Sequence, residues 1–223
     1  MAIAHTIPVA VHGRYLIECP THGMPVGALV GCHGYAESAD VQMERLRAIP
    51  DAGKWLLVSI QGLHRFYRAK TGEVVASWMT RQDRESAIAD NVAYVSAVVD
   101  EVLKGLKVDV PLLYAGFSQG VAMAFRAACA SHRRVMGVVA VGGDVPPELS
   151  AEDLGRLPAA LVARGARDAA YTLEQWHADE ARLRAAGVRL RTLSFDGSHE
   201  WNDEVSREAA ALLRSIPSEF RAR

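Results

Sequence analysis

The chain has 223 residues, half of them hydrophobic, with 25 basic and 26 acidic side chains and a formal charge of −1. That balance gives no electrostatic basis for binding nucleic acid or an anionic membrane surface, and the length suits one large α/β domain over 1–223. Three widely spaced cysteines, Cys19, Cys32 and Cys129, include no Cys-x-x-Cys pair, so neither a disulfide framework nor a thiolate metal site is indicated.

The first residues lack a basic head and a long apolar core, and no run approaches a membrane span. A cytoplasmic protein without stable membrane insertion is therefore expected. Residues 6–11 and 14–18 are short β-like runs around His12-Gly13 and predict a hairpin. Residues 26–32 form a short apolar run ending at His33-Gly34, which reads as a buried strand. A helix is expected over 37–48, ended by Pro50 and Gly53, and a second buried strand over 55–60. Residues 61–84 show no clear periodicity and read as an irregular connection.

Ile88, Val92, Val95, Val99 and Val102 recur at helical spacing and predict a long helix over 85–104, with Gly105 placed as a C-terminal cap. The apolar run 111–115 then leads into Gly116-Phe117-Ser118-Gln119-Gly120, followed by a helical segment over 121–130. A strand, a tight Gly-x-Ser-x-Gly turn and a helix describe a nucleophile elbow, in which a strained turn exposes the serine hydroxyl. The plain alternative is a Gly-rich turn with an idle serine. Strands follow at 135–141 and 159–163. Thr172-Leu173-Glu174-Gln175 has the form of a capping box opening a helix that runs to Gly187. A strand over 188–195 and a helix from about 200 to 213 complete the order. Strands alternating with helices imply a mainly parallel sheet covered on both faces, with ligands at the carboxyl ends of the strands.

A serine hydroxyl needs a base, and histidine suits neutral pH. In this architecture the chain order is Ser, acid, His. His5, His12, His22, His33 and His64 precede Ser118, while His132 and His177 fall on or beside helices. His199, in the loop after the last strand, is the candidate base. Asp168, after the 159–163 strand, is the candidate acid that orients it. Asp144 is the rival, and Asp196 is too close in sequence to approach His199 easily. An oxyanion would need two backbone donors. One is the N–H of Gln119. The other comes from the loop after the 26–32 strand, with Tyr35 preferred and Gly34 or Ala36 as alternatives. His33 has no His or Cys partner at ligand spacing, so it reads as a loop-shaping residue and no metal is expected.

His33-Gly34-Tyr35, the Gly-Phe-Ser-Gln-Gly elbow, Asp168 and Ser198-His199-Glu200 together resemble the phospholipase/carboxylesterase family of α/β-hydrolases, which includes small bacterial carboxylesterases and acyl-protein thioesterases. The likeness runs from about 26 to 213. It implies an α/β-hydrolase fold and cofactor-free hydrolysis of a small-molecule ester or thioester through an acyl-serine, and no insertion in the chain is long enough for a large cap domain. The chain departs from the family pattern at three places. Ala36 stands where a second glycine is frequent, Ser198 where a glycine often precedes the histidine, and Ala169-Ala170-Tyr171 where an apolar stretch with proline is common.

Leu63, Phe66 and Trp78, in the 61–84 connection, are candidate walls of an acyl pocket, or else anchors of the loop to the core. The expected activity is that of a serine carboxylesterase. The alternatives are an acyl-thioesterase or lysophospholipase and, from another class, a non-catalytic ligand-binding protein on a hydrolase fold.

Overall fold

A computed structural model describes residues 2–106 and 110–215. In chain order the strands are β1 (Tyr15–Glu18), β2 (Ala28–Cys32), β3 (Leu56–Ile60), β4 (His64–Tyr67), β5 (Val74–Ser77), β6 (Leu112–Phe117), β7 (Val135–Val141), β8 (Ala159–Gly165) and β9 (Arg189–Phe195). The helices are α1 (Ala39–Arg47), α2 (Arg84–Lys104), α3 (Gln119–Ala130), α4 (Ala151–Gly155), α5 (Leu173–Ala185) and α6 (Asp203–Arg214). Seven strands form one sheet in the order β1-β3-β2-β6-β7-β8-β9, parallel throughout except that β1 runs against β3.

The central strands β2, β3 and β6 are buried along their whole length, which is why they read as unbroken apolar runs. Alternate residues serve two cores. Val30 and Val58 pack with Val95 and Val99 of α2 and Phe125 of α3 on one face. Leu29 and Leu57 pack with Met43 and Leu46 of α1 and Val205 and Leu212 of α6 on the other. The fold is that of an α/β-hydrolase, and no large cap interrupts it among the described residues.

Three expectations change. The 14–18 run does not pair with 6–11. Tyr15 lies opposite Ile60 at the sheet edge, while Ile7, Val9 and Val11 are exposed and outside any strand. A sheet edge offers more buried contact than an isolated two-stranded hairpin, so it takes the strand. Gly105 has φ −69°, in the right-handed region, so its place at the end of α2 does not use the freedom of a glycine. The 61–84 connection contains a hairpin, with Phe66 opposite Val75 and Tyr67 opposite Val74.

Both ends of that hairpin are tied to the core by side chains, buried Asn91 and partly buried Gln119. Asn91 of α2 accepts from the Leu63 N–H at 3.2 Å and donates to the Trp78 and Ala87 carbonyls at 2.8 Å each. The Gln119 side chain accepts from the Trp78 N–H at 2.9 Å and donates to the Met79 carbonyl at 3.0 Å. Asn91→Ala would leave the Leu63 and Trp78 backbone groups without these partners at a buried position. We expect a loss of about 2–4 kcal/mol, read as a lower urea midpoint at unchanged slope.

Candidate active site

The elbow follows from steric limits at two glycines. A Cβ on Gly116 would lie 2.4 Å from the Gly120 carbonyl oxygen, and one on Gly120 would lie 2.1 Å from that of Cys32. With no side chains there, α3 starts immediately against the ends of β2 and β6. Ser118, between strand and helix, is forced to φ 51° and ψ −122°, a conformation that costs a non-glycine residue about 1–3 kcal/mol. Its N–H donates to the Val141 carbonyl at 2.9 Å, and its carbonyl accepts from Val121 at 2.9 Å. The residue is partly exposed, and its hydroxyl has no hydrogen-bond partner among the described residues.

His199 sits beside the elbow. Its ring packs against Phe117, with centroids 5.0 Å apart. Its Nδ1 lies 2.8 Å from Oδ2 of Asp168, whose side chain is 0% exposed against 31% for His199. The other Asp168 oxygen accepts from the Ala170 and Tyr171 N–H groups at 2.8 and 3.0 Å. The carboxylate thus receives three hydrogen bonds in a site closed to water, and a donating Nδ1 leaves Nε2 of His199 unprotonated when the ring is neutral. Buried Arg164 donates to the Asp168 and Tyr171 carbonyls and closes the same turn. The rival Asp144 is exposed, and Asp196 is paired with Arg167.

Across from the elbow lies the loop 33–37. His33 is fully buried. Its Nε2 accepts from the Gly62 N–H at 3.0 Å, which places the ring proton on Nδ1, donating to the Gly34 carbonyl at 2.6 Å. The Gly34 N–H donates to Glu37 at 2.8 Å and the Ala36 N–H to the Ala76 carbonyl at 3.0 Å. Of the three amides considered for the oxyanion, only that of Tyr35 has no intramolecular partner among the described residues. The Gln119 N–H, at the first turn of α3, has none either.

A family model for phospholipase/carboxylesterase matches residues 16–173. The chain belongs to the phospholipase/carboxylesterase family. Similar folds include a carboxylesterase from Mesorhizobium loti (19% identity, 91% of this chain and 95% of that one, TM-score 0.74). Esterase PE8 matches at 18% identity over 93% and 100% of the two chains, TM-score 0.72. Zea mays acyl-protein thioesterase 2 matches at 19% over 92% and 99%, TM-score 0.70. No curated protein matches the chain. The family match includes Asp168 and ends before His199.

The departures from the phospholipase/carboxylesterase pattern have local explanations. Ala36 adopts φ 56°, the left-handed conformation that favours the family's glycine. Ser198 has no positive φ and is exposed, so glycine is not required there. Proline at 170 or 171 would remove an N–H that binds Asp168. Tyr171 is itself buried and donates to Asp179, which also accepts from the Val145 N–H, each at 2.9 Å.

The proposed acyl walls separate. Trp78 is 0% exposed, packed at a tilt against His33 at 5.1 Å between centroids and donating its indole N–H to the His33 carbonyl at 2.8 Å. It is a core residue that shapes the loop and lines no open groove. Phe66 is half-buried and packs on the Tyr35 ring at 5.6 Å; Leu63 is half-buried. Sequence reasoning missed Glu37 and Arg45, whose carboxylate and guanidinium meet at 2.6 Å beside the loop. Glu37 precedes α1 and Arg45 lies within it, so the pair follows no helical period and no catalytic pattern.

Burial pulls the His33 imidazole below its ordinary value. The unfolded chain therefore takes up a proton near pH ~6.5 that the folded chain refuses. Stability from this group is complete above that pH and declines as pH falls through the window below it. We expect the melting temperature to drop between pH 7 and pH 5.5, and to drop less in His33→Gln; equal drops in both proteins would contradict this.

Proposed function

We propose that the protein is a serine carboxylic-ester hydrolase. The observation that carries this reading is the buried Asp168 carboxylate on His199 Nδ1, with the imidazole packed against the residue that precedes the strained Ser118. Ser118 Oγ attacks the ester carbonyl while Nε2 of His199 takes its proton. Asp168 holds the ring tautomer and stabilises the imidazolium that forms. Charge develops on the carbonyl oxygen, where the Tyr35 and Gln119 amides are available as donors, aided by the positive end of α3. Collapse of the tetrahedral intermediate expels the alcohol, which receives the proton from His199. Water then attacks the acyl-serine with His199 again as base. The free Ser118 hydroxyl is consistent with this sequence, since catalytic hydrogen bonds often tighten only when substrate binds.

A thioesterase is the second reading, favoured by the likeness to the Zea mays acyl-protein thioesterase, which is as strong in identity as that to the carboxylesterase. The same residues would serve, with a thiol as leaving group. Matched ester and thioester substrates of increasing acyl length decide between them by kcat/KM.

Ser118→Ala should abolish ester turnover and labelling by a fluorophosphonate while leaving the melting curve in place. An unlabelled wild-type Ser118 would instead favour a binding protein. Asp168→Asn should lower kcat by up to about 10⁴-fold, as for comparable triads, whereas Asp144→Asn and Asp196→Asn should stay within about twofold of wild type, as substitutions away from the reacting groups do. A large loss in either of those two with none at Asp168 would overturn the assignment of the acid.

A further inference from the structure

Among the three amides after His33, the outer two are occupied and the middle one is not. The Gly34 N–H is held by Glu37 Oε2 and the Ala36 N–H by the Ala76 carbonyl. A peptide chain pinned on both sides of Tyr35 has little freedom to turn the Tyr35 amide away. One of the two pins, the Ala76 carbonyl, is a backbone group of β5. The other is a side chain, and it is connected to the rest of the site.

Arg45 grips Glu37 with both terminal nitrogens, at 2.6 Å to each carboxylate oxygen. Both side chains are largely withdrawn from water, 15% and 19% exposed. The guanidinium lies 4.0 Å above the Phe117 ring, and the same ring packs on His199. A Cβ on Gly34 would stand 2.9 Å from Glu37 Oε2 and 3.1 Å from Phe117 Cδ1, so glycine at 34 is what lets carboxylate and ring close on the loop. One ion pair therefore touches the loop through Gly34 and the elbow strand through Phe117. Burial disfavours the Glu37 charge, but the Arg45 fork and the Gly34 N–H outweigh it and hold the carboxyl below its ordinary range. An ionised acceptor binds an N–H about twice as strongly as a neutral one.

We propose that Glu37, fixed by Arg45, is a positioning residue for the oxyanion hole. It holds the Gly34 amide to itself and so leaves the Tyr35 amide to the substrate oxygen. This inference rests on the serine-hydrolase reading above. Glu37 acts through Gly34 and Arg45, so its effect falls on the oxyanion rather than on substrate binding.

The test uses Glu37→Leu and the isosteric Glu37→Gln, which keeps an acceptor for Gly34 but not the ion pair. Each is assayed for kcat and KM on a simple ester, with active sites counted by fluorophosphonate, and for inhibition by an alkyl trifluoromethyl ketone. Ser118 Oγ adds to that ketone carbon, the carbonyl electron pair moves to oxygen, and the proton goes to His199, so the adduct carries the oxyanion. Glu37→Leu should lower kcat per active site about 10–100-fold, below the 10²–10³ of a deleted donor. KM should stay within about twofold, and ketone affinity should fall by the same factor as kcat. Glu37→Gln should lie between Glu37→Leu and wild type in both. Wild-type kcat per active site and ketone affinity in Glu37→Leu would overturn the inference alone, as would a loss confined to the number of active sites. A wild-type enzyme that neither turns over esters nor labels at Ser118 would overturn both the inference and the reading it rests on.

Discussion

The close crossing of α3 over the ends of β2 and β6 is the constraint from which the site follows. Gly120 lies under the Cys32 carbonyl and Gly116 under Gly120, with no room for a methyl group at either. Ser118 has to take a left-handed backbone to make the turn. The same approach brings the first amide of α3 toward the loop that leaves β2, so that two chain segments far apart in sequence meet at one carboxyl edge of the sheet. Parallel order does the rest. Since β8 lies between β7 and β9, the turn after β8 that carries Asp168 is adjacent to the loop after β9 that carries His199.

Around this crossing the polar interior is closely satisfied. His33, Asn91 and Gln119 are each committed through their side chains to backbone groups of the 62–63 and 77–79 segments or of the 33–34 loop. Trp78 adds an indole hydrogen bond to the His33 carbonyl. Hairpin, loop and elbow are therefore connected through buried and part-buried hydrogen bonds, where leaving a group unpaired is costly. That arrangement explains why two residues with suggestive chemistry, His33 and Trp78, act as internal supports.

Much of the sheet was legible because its central strands are buried on both sides and read as short apolar runs. The elbow was legible because glycine at 116 and 120 answers a steric demand that sequence records directly. The β4–β5 hairpin was not. Its apolar alternation, Phe66 with Val75, is interrupted by Arg65 on a strand that is mostly exposed, and Arg68 and Lys70 follow directly after it. The α4 helix, of five residues, is too short to show a period. Trp78 reads equally as a groove wall or a core anchor, because an aromatic residue in a connection carries no mark of its depth. Chain order offered both Asp144 and Asp168; exposure and the hydrogen bond to His199 separate them, and neither is written in sequence. The Glu37–Arg45 pair was unreadable for a similar reason, since its significance lies in the Gly34 amide and the Phe117 face that it touches.

Ala36 and Ser118 both hold positive φ without being glycine. They flank the place where, under the proposed chemistry, the carbonyl would react. Torsional energy at both points is met when the chain folds, before any ligand arrives. A substrate arriving there would meet a main chain already set, and what remains to adjust on binding is the Ser118 hydroxyl rather than the backbone that carries it. The corollary is a molecule whose reactive rim is somewhat tense at rest and whose resilience has to come from the packed layers beneath it.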